Sequence, residues 1–208
     1  MSVEILTKAR QVADYVAARR WFASIEPRRI SPVSTNIAAV LFDAVFQAGL
    51  NYRTVVLPRV RSIEQRFPNL TCLSDLAQII DSPEFSTALN WRHEEKPKRL
   101  RCLVCFLRTQ GLETVSDLRE WLANKANRTA LLNLRGIGNK TVDYLARLTG
   151  FATIAVDRHV RRLLQLVGIV SQSYAEAKRV IEFAADLLNI DRWSFDKLIW
   201  EQFSTAVR

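Results

Sequence analysis

From Val3 to Phe203, apolar residues return at three- and four-residue steps in one segment after another. That spacing gathers them on one face of an α-helix. The first segment covers residues 3–22, with Val3, Leu6, Ala9, Ala13 and Val16 on one face. The next covers 36–48, with Ser34 or Thr35 as its cap. Residues 52–67 follow, where Pro58 kinks the helix or delays its start. Further helices are expected over 72–80, 98–109, 115–123, 158–167, 174–188 and 193–203, with a paired set ending near 134 and resuming over 141–149. Only Thr153-Ile154-Ala155-Val156, rich in β-branched residues, reads as extended. No repeat, long linker or low-complexity tract interrupts the pattern, so the expected fold class is all-α.

The paired set is joined by Leu134-Arg135-Gly136-Ile137-Gly138-Asn139-Lys140. Gly136 and Gly138 permit a tight turn with positive φ and no Cβ in the way. The amides of Gly138 and Asn139 would then open outward at the start of a helix. Those donors lack partners and the helix dipole favours negative charge there, so the turn is a candidate phosphate site. A plain helix-helix turn would have the same two glycines. Gly150 sits just past the second helix, where a left-handed cap costs least.

Lys140 is out of place on stability grounds. A cation in the first turn opposes the dipole, where Asp or Glu would help. The same position and any nearby cation favour the neutral amine, the form that attacks carbon. A solvated lysine touching phosphate is the simpler alternative. Seventeen positions on, Asp157 follows the extended run and precedes a helix, which suits an N-cap. A capping carboxylate is held rigidly and ionised, so it can also stabilise a developing positive charge. His159 either orients it or simply packs.

Thirty Lys and Arg against twenty-one Asp and Glu give a net charge of +9, which suits an acidic polymer as partner. Lys96, Lys98, Arg99 and Arg101 concentrate charge at the start of one helix, either as phosphate contacts or as a solvated face. Trp91, beside Arg92 in the preceding loop, could wedge into a duplex or pack beneath the loop. No apolar run reaches membrane-spanning length, and Met1-Ser2-Val3-Glu4 does not read as a secretory leader. Three cysteines argue against a disulfide framework. Cys102 and Cys105 are expected to be core thiols, and two histidines argue against a metal centre.

Leu134, Gly136, Ile137, Gly138, Lys140 and Thr141 match L-x-G-[IV]-G-x-K-T, and Val156, Asp157, His159, Val160 and Arg162 match V-D-x-H-[IV]-x-R. On these residues the chain resembles the helix-hairpin-helix Gly-Pro-Asp superfamily of DNA glycosylases, nearest the endonuclease III type. The likeness is collinear: Ala38 to Gln47 is similar to an early family helix that ends in glutamine, and Leu198 to Phe203 falls where its last core helix lies. Arg135 departs from a frequent proline, where it could add a phosphate contact, and no proline precedes Asp157. No cysteine follows Cys105, so the resemblance carries no iron–sulfur cluster.

The resemblance implies a two-lobed helical fold with a cleft between lobes. One lobe spans residues 30–150 and holds the helix-hairpin-helix over about 129–150; the other is formed by 1–29 and 151–208, and Lys140 and Asp157 would face the cleft. It implies base-excision repair with abasic-site lyase activity, with Lys140 as Schiff-base nucleophile and Asp157 as the assisting acid. Gly136, Gly138, Asn139, Arg135 and Lys98 would hold DNA, and Gln47 or Trp91 would fill the gap left by a flipped base. The partner is duplex DNA carrying a damaged base or abasic site, bound by a monomer. The setting is cytoplasmic and DNA-associated, or nuclear in a eukaryote. No cofactor is required, and a monovalent cation at the hairpin carbonyls is compatible. A monofunctional glycosylase using water and a non-catalytic DNA-binding module stay open, as do oxidised pyrimidines, oxidised purines and deaminated bases as lesions.

Overall fold

The computed structural model describes residues 3–21 and 33–204. Among the described residues there are twelve α-helices and one π-helical turn, and no strand. The chain divides into two compact units, Pro32–Phe151 and Met1–Ser31 with Ala152–Arg208.

The first unit is built round α2 (Ile37–Phe46), every residue of which is buried. A helix apolar on all sides must be covered on all sides, and α2 packs against α3 (Leu57–Arg66), α4 (Leu73–Ile79), α6 (Glu95–Thr109) and α9 (Asn139–Leu148). Its cap is Asn36 rather than Ser34 or Thr35. The Asn36 carboxamide oxygen accepts from the Ala39 amide at 3.0 Å, and its Nδ2 donates to the Phe67 carbonyl at 2.6 Å.

Pro58 falls in the first turn of α3, where its missing N–H breaks no helical bond. The preceding Tyr52–Val56 forms the π-helical turn, capped by the Asn51 side chain on the Thr54 amide. Helix α5 (Pro83–Leu89) was not expected from periodicity, yet its cap is legible: Ser82 accepts from Phe85 N–H and Pro83 opens the helix. The capping box of Thr114 and Asp117 starts α7 (Val115–Ala123), and α8 (Lys125–Leu131) follows from Asn124.

In the second unit α1 (Val3–Ala18) packs against α11 (Tyr174–Leu187), and α10 (Arg158–Leu166) against α12 (Arg192–Ser204). The buried face of α1 is Ile5, Ala9, Val12, Ala13 and Val16, whereas the expected Val3 and Leu6 are exposed. Both choices have helical spacing; contact with α11 selects the richer face. The Lys8 ammonium pairs with Glu4 at 2.5 Å and with Glu176 of α11 at 2.7 Å. Phe22, expected to end α1, lies outside the described residues. The cysteines expected in the core, Cys102 and Cys105, are exposed on α6, because its buried stripe runs through Leu100, Leu103, Val104 and Leu107.

Candidate nucleic-acid interface

The turn between α8 and α9 is held from inside by Ile137, which is buried, and by its amide donating to the Leu134 carbonyl at 3.0 Å. Gly136 has φ +80°, the left-handed conformation expected of it. Gly138 does not: with φ −108° and ψ 176° it is extended and serves as the N-cap of α9. What a glycine provides there is space, since a Cβ at Gly138 would meet nothing within 4 Å. The first ladder bond of α9 runs from Val142 N–H to Gly138 O, so the amides of Asn139, Lys140 and Thr141 precede it at the positive end of the helix. Gly138 and Asn139 are exposed, as are Arg135 and Lys98, so anions can approach all four. At its far end, α9 closes as the sequence suggested. Gly150, at φ +98°, donates to Arg147 O, and Phe151 N–H reaches back to Ala146 O, a Schellman arrangement.

Two cations of α6 have sharper roles than a basic face. The Arg99 side chain lies across Gly136, and a Cβ built there would fall 2.3 Å from Arg99 Nε. Lys96 turns inward: its ammonium donates to the carbonyls of Val45, Phe46 and Ala48 at 3.2, 3.1 and 2.8 Å, satisfying the orphan end of α2. Burial, then the neighbouring charges of Arg99 and Lys140, push the Lys96 amine down to about 8. Arg101 is committed to Asp81 at 2.5 Å and Glu94 at 3.7 Å.

Gln47 is no protruding tip. It is 8% exposed, and its Nε2 is buried without a hydrogen-bond partner among the described residues. Trp91 is half-buried, edge-on to Phe46 with ring centroids 5.2 Å apart, and the Arg59 guanidinium lies 5.5 Å from its ring. It packs beneath its loop, the second of the two arrangements the sequence allowed.

Sequence reasoning missed Asp43. This carboxylate is buried in α2, accepting from Tyr52 OH at 3.0 Å and Tyr144 OH at 3.3 Å. Burial outweighs both hydrogen bonds and pushes Asp43 up to about 7. Burial and the Asp43 charge push both tyrosines above their ordinary range. Tyr144 lies one turn beyond Lys140, so this network ties α2 to the hairpin's second helix. The available signal was a lone acid within an otherwise apolar ten-residue segment.

Asp157 belongs to the other unit. It is the N-cap of α10, half-buried, and its Oδ1 accepts from His159 N–H at 2.7 Å and Val160 N–H at 3.1 Å. The preceding run Thr153-Ile154-Ala155-Val156 is buried and belongs to no helix or strand, and the Val156 amide donates to Tyr174 OH at 3.1 Å. His159 is buried, and its backbone N–H shares with that of Val160 in holding Asp157. Among the described residues no cluster of His, Cys, Asp and Glu is arranged to hold a metal ion, and no helix is long and apolar enough to cross a membrane.

The structure is similar to the 3-methyladenine DNA glycosylase MagIII of H. pylori, solved with bound 1,N6-ethenoadenine, with a TM-score of 0.67 over 96% of this chain and 99% of that one. The chain has the fold of a helical DNA glycosylase. It is all-α, as the helical periodicity of the sequence predicts. At 17% identity the two sequences have diverged widely. No family model matches the sequence, and no curated protein matches it.

Proposed function

We propose that the protein is a base-excision DNA glycosylase with abasic-site lyase activity, acting on duplex DNA. One observation carries this reading: on a DNA-glycosylase fold, an amine-bearing residue occupies the first turn of α9, beside a glycine cap open to an anion. A phosphate at those amides would fix the register of the strand without reading a base. A damaged nucleotide is extruded from the stack. The neutral Lys140 Nζ attacks C1′, the C1′–N bond breaks, and the base departs with the bonding pair and takes a proton. Opening of the sugar gives a Schiff base; loss of a C2′ proton then expels the 3′ phosphate by β-elimination. Asp157, anchored by two amides, supplies negative charge to the cationic sugar. An amine nucleophile requires no metal or organic cofactor. A monomer serving one duplex suffices.

A second reading is a monofunctional glycosylase, in which water attacks and Lys140 only binds. It is favoured by the similar structure being a 3-methyladenine DNA glycosylase. That likeness adds alkylated and etheno-adducted purines to the oxidised and deaminated bases worth testing.

Borohydride trapping on duplexes carrying each lesion, with wild type and Lys140→Ala in parallel, decides between them. A covalent adduct with wild type alone supports the lyase. Base release by both proteins, with no adduct, establishes the water mechanism. No base release from any lesion leaves a DNA-binding module.

A further inference from the structure

The first unit also carries an open groove of about 710 Å³ between α3 and α5, closed by the loop of Asn90, Trp91 and Arg92 and lined by no hairpin residue. Its walls are preformed. Arg59 of α3 donates to Val55 O at 2.7 Å, to Leu89 O at 2.9 Å and to Asn90 O at 2.9 Å, fastening the end of α5 to the start of α3. Asn90 itself takes the left-handed cap of α5 at φ +42°. Two further guanidinium groups line the groove, Arg66 and Arg92. Both are exposed, and neither has an ion pair among the described residues. By contrast, Arg101 of this unit is committed to acids and Lys96 to carbonyls. The hydroxyls of Ser62 and Ser86 share the lining with these arginines, and no carboxylate does.

A groove lined by one sign of charge concentrates the opposite sign within it. An open groove with cations on its lining suits a chain of anions rather than a single enclosed one. Guanidinium forks and hydroxyl donors are the groups that hold phosphodiesters without reading sequence. Arg92 also leads directly into the start of α6, where Lys98 is exposed and Arg99 crosses the hairpin glycine. We propose that the groove between α3 and α5 is a second DNA site, which binds the phosphodiester backbone of the duplex outside the damaged nucleotide through Arg66 and Arg92. This rests on the reading of the protein as a DNA glycosylase.

The test uses the full chain and duplexes bearing a tetrahydrofuran abasic analogue, one of about one helical turn and one of about three. The variant is Arg66→Gln with Arg92→Gln; Arg61→Gln with Arg108→Gln, both exposed, removes the same charge elsewhere. On the long duplex the groove variant should bind more weakly, and the slope of log K against log salt should flatten by roughly 1.8, the share of two phosphates. The short duplex and the control variant should show neither change. Base excision at saturating long duplex should match wild type. An unchanged slope on the long duplex, or equal losses on both duplexes or in both variants, overturns the second site. Wild type that binds no duplex removes the glycosylase reading and the groove with it; wild type that binds and excises while the groove variant behaves normally removes the groove alone.

Discussion

The Arg99 side chain lies across the face of Gly136, so that α6 braces the hairpin at the residue whose backbone is left-handed. Gly136→Ala therefore meets two penalties. The φ of +80° costs a residue with a Cβ about 1–2 kcal/mol, and Arg99 must move aside. Moving a flexible side chain is the smaller cost. In urea unfolding, Gly136→Ala is expected to lose about 1–3 kcal/mol, and Arg99→Ala in the same chain should recover less than half of it. Full recovery would mean that the contact, not the backbone, dictates glycine.

Gly138 makes the opposite case. Its backbone is extended and its Cβ direction is empty, so Gly138→Ala should change stability by under about 1 kcal/mol, the cost of a poorer cap. If a phosphate reaches the amides of α9 through the open space beside Gly138, the added methyl obstructs it. Affinity for an abasic-analogue duplex should fall at least several-fold in an anisotropy titration. Unchanged affinity would remove the phosphate site from this helix end.

Asp157 can be separated into a cap and a charge. Asn caps a helix about as well as Asp, while Ala does not. Asp157→Asn should melt within a degree or two of wild type, and Asp157→Ala should lose about 1 kcal/mol of stability. If the carboxylate stabilises a cationic sugar, both variants should lose roughly 10²-fold or more in single-turnover base release. An Asn variant that retains wild-type rates would reduce Asp157 to a cap.

The helices were largely legible because apolar spacing reports burial directly, and α7 was read to the residue. The failures share a cause. Val3 and Leu6 were placed on the buried face of α1 because spacing alone does not say which face a partner covers; α11 covers the face of Ile5 and Val12. Helix α5 is seven residues long, too short for periodicity, and only Ser82 and Pro83 announce it. Among the candidate residues, the left-handed Gly136 and the capping Asp157 were visible because backbone conformation and capping are local, whereas Gly138, expected left-handed, is extended. The inward turn of Lys96, the reach of Arg99 to Gly136 and the burial of Gln47 depend on helices distant in sequence. In those three cases a solvated residue and a committed one have the same local signature.

Asp43 offers a stability change with a defined sign. Its carboxyl is raised from an ordinary value near 3.8 to about 7 in the folded protein. A group raised on folding binds its proton more tightly in the native state, so its contribution is fully present below the unfolded value and is lost as pH climbs towards the folded one. Between about pH 4 and pH 7 the Asp43 proton should therefore release stability worth up to about 4 kcal/mol, and little more above pH 8. Asp43→Asn keeps a neutral partner for Tyr52 and Tyr144 and cannot ionise. Measured by urea unfolding across that range, wild type should weaken relative to Asp43→Asn as pH rises, with the two nearest in stability at the acid end. A difference that is flat from pH 4 to pH 8 would show that Asp43 ionises as freely in the folded chain as in the unfolded one. A wild type that gains on the variant as pH rises would mean that the two tyrosine hydroxyls hold the carboxylate more strongly than burial opposes it.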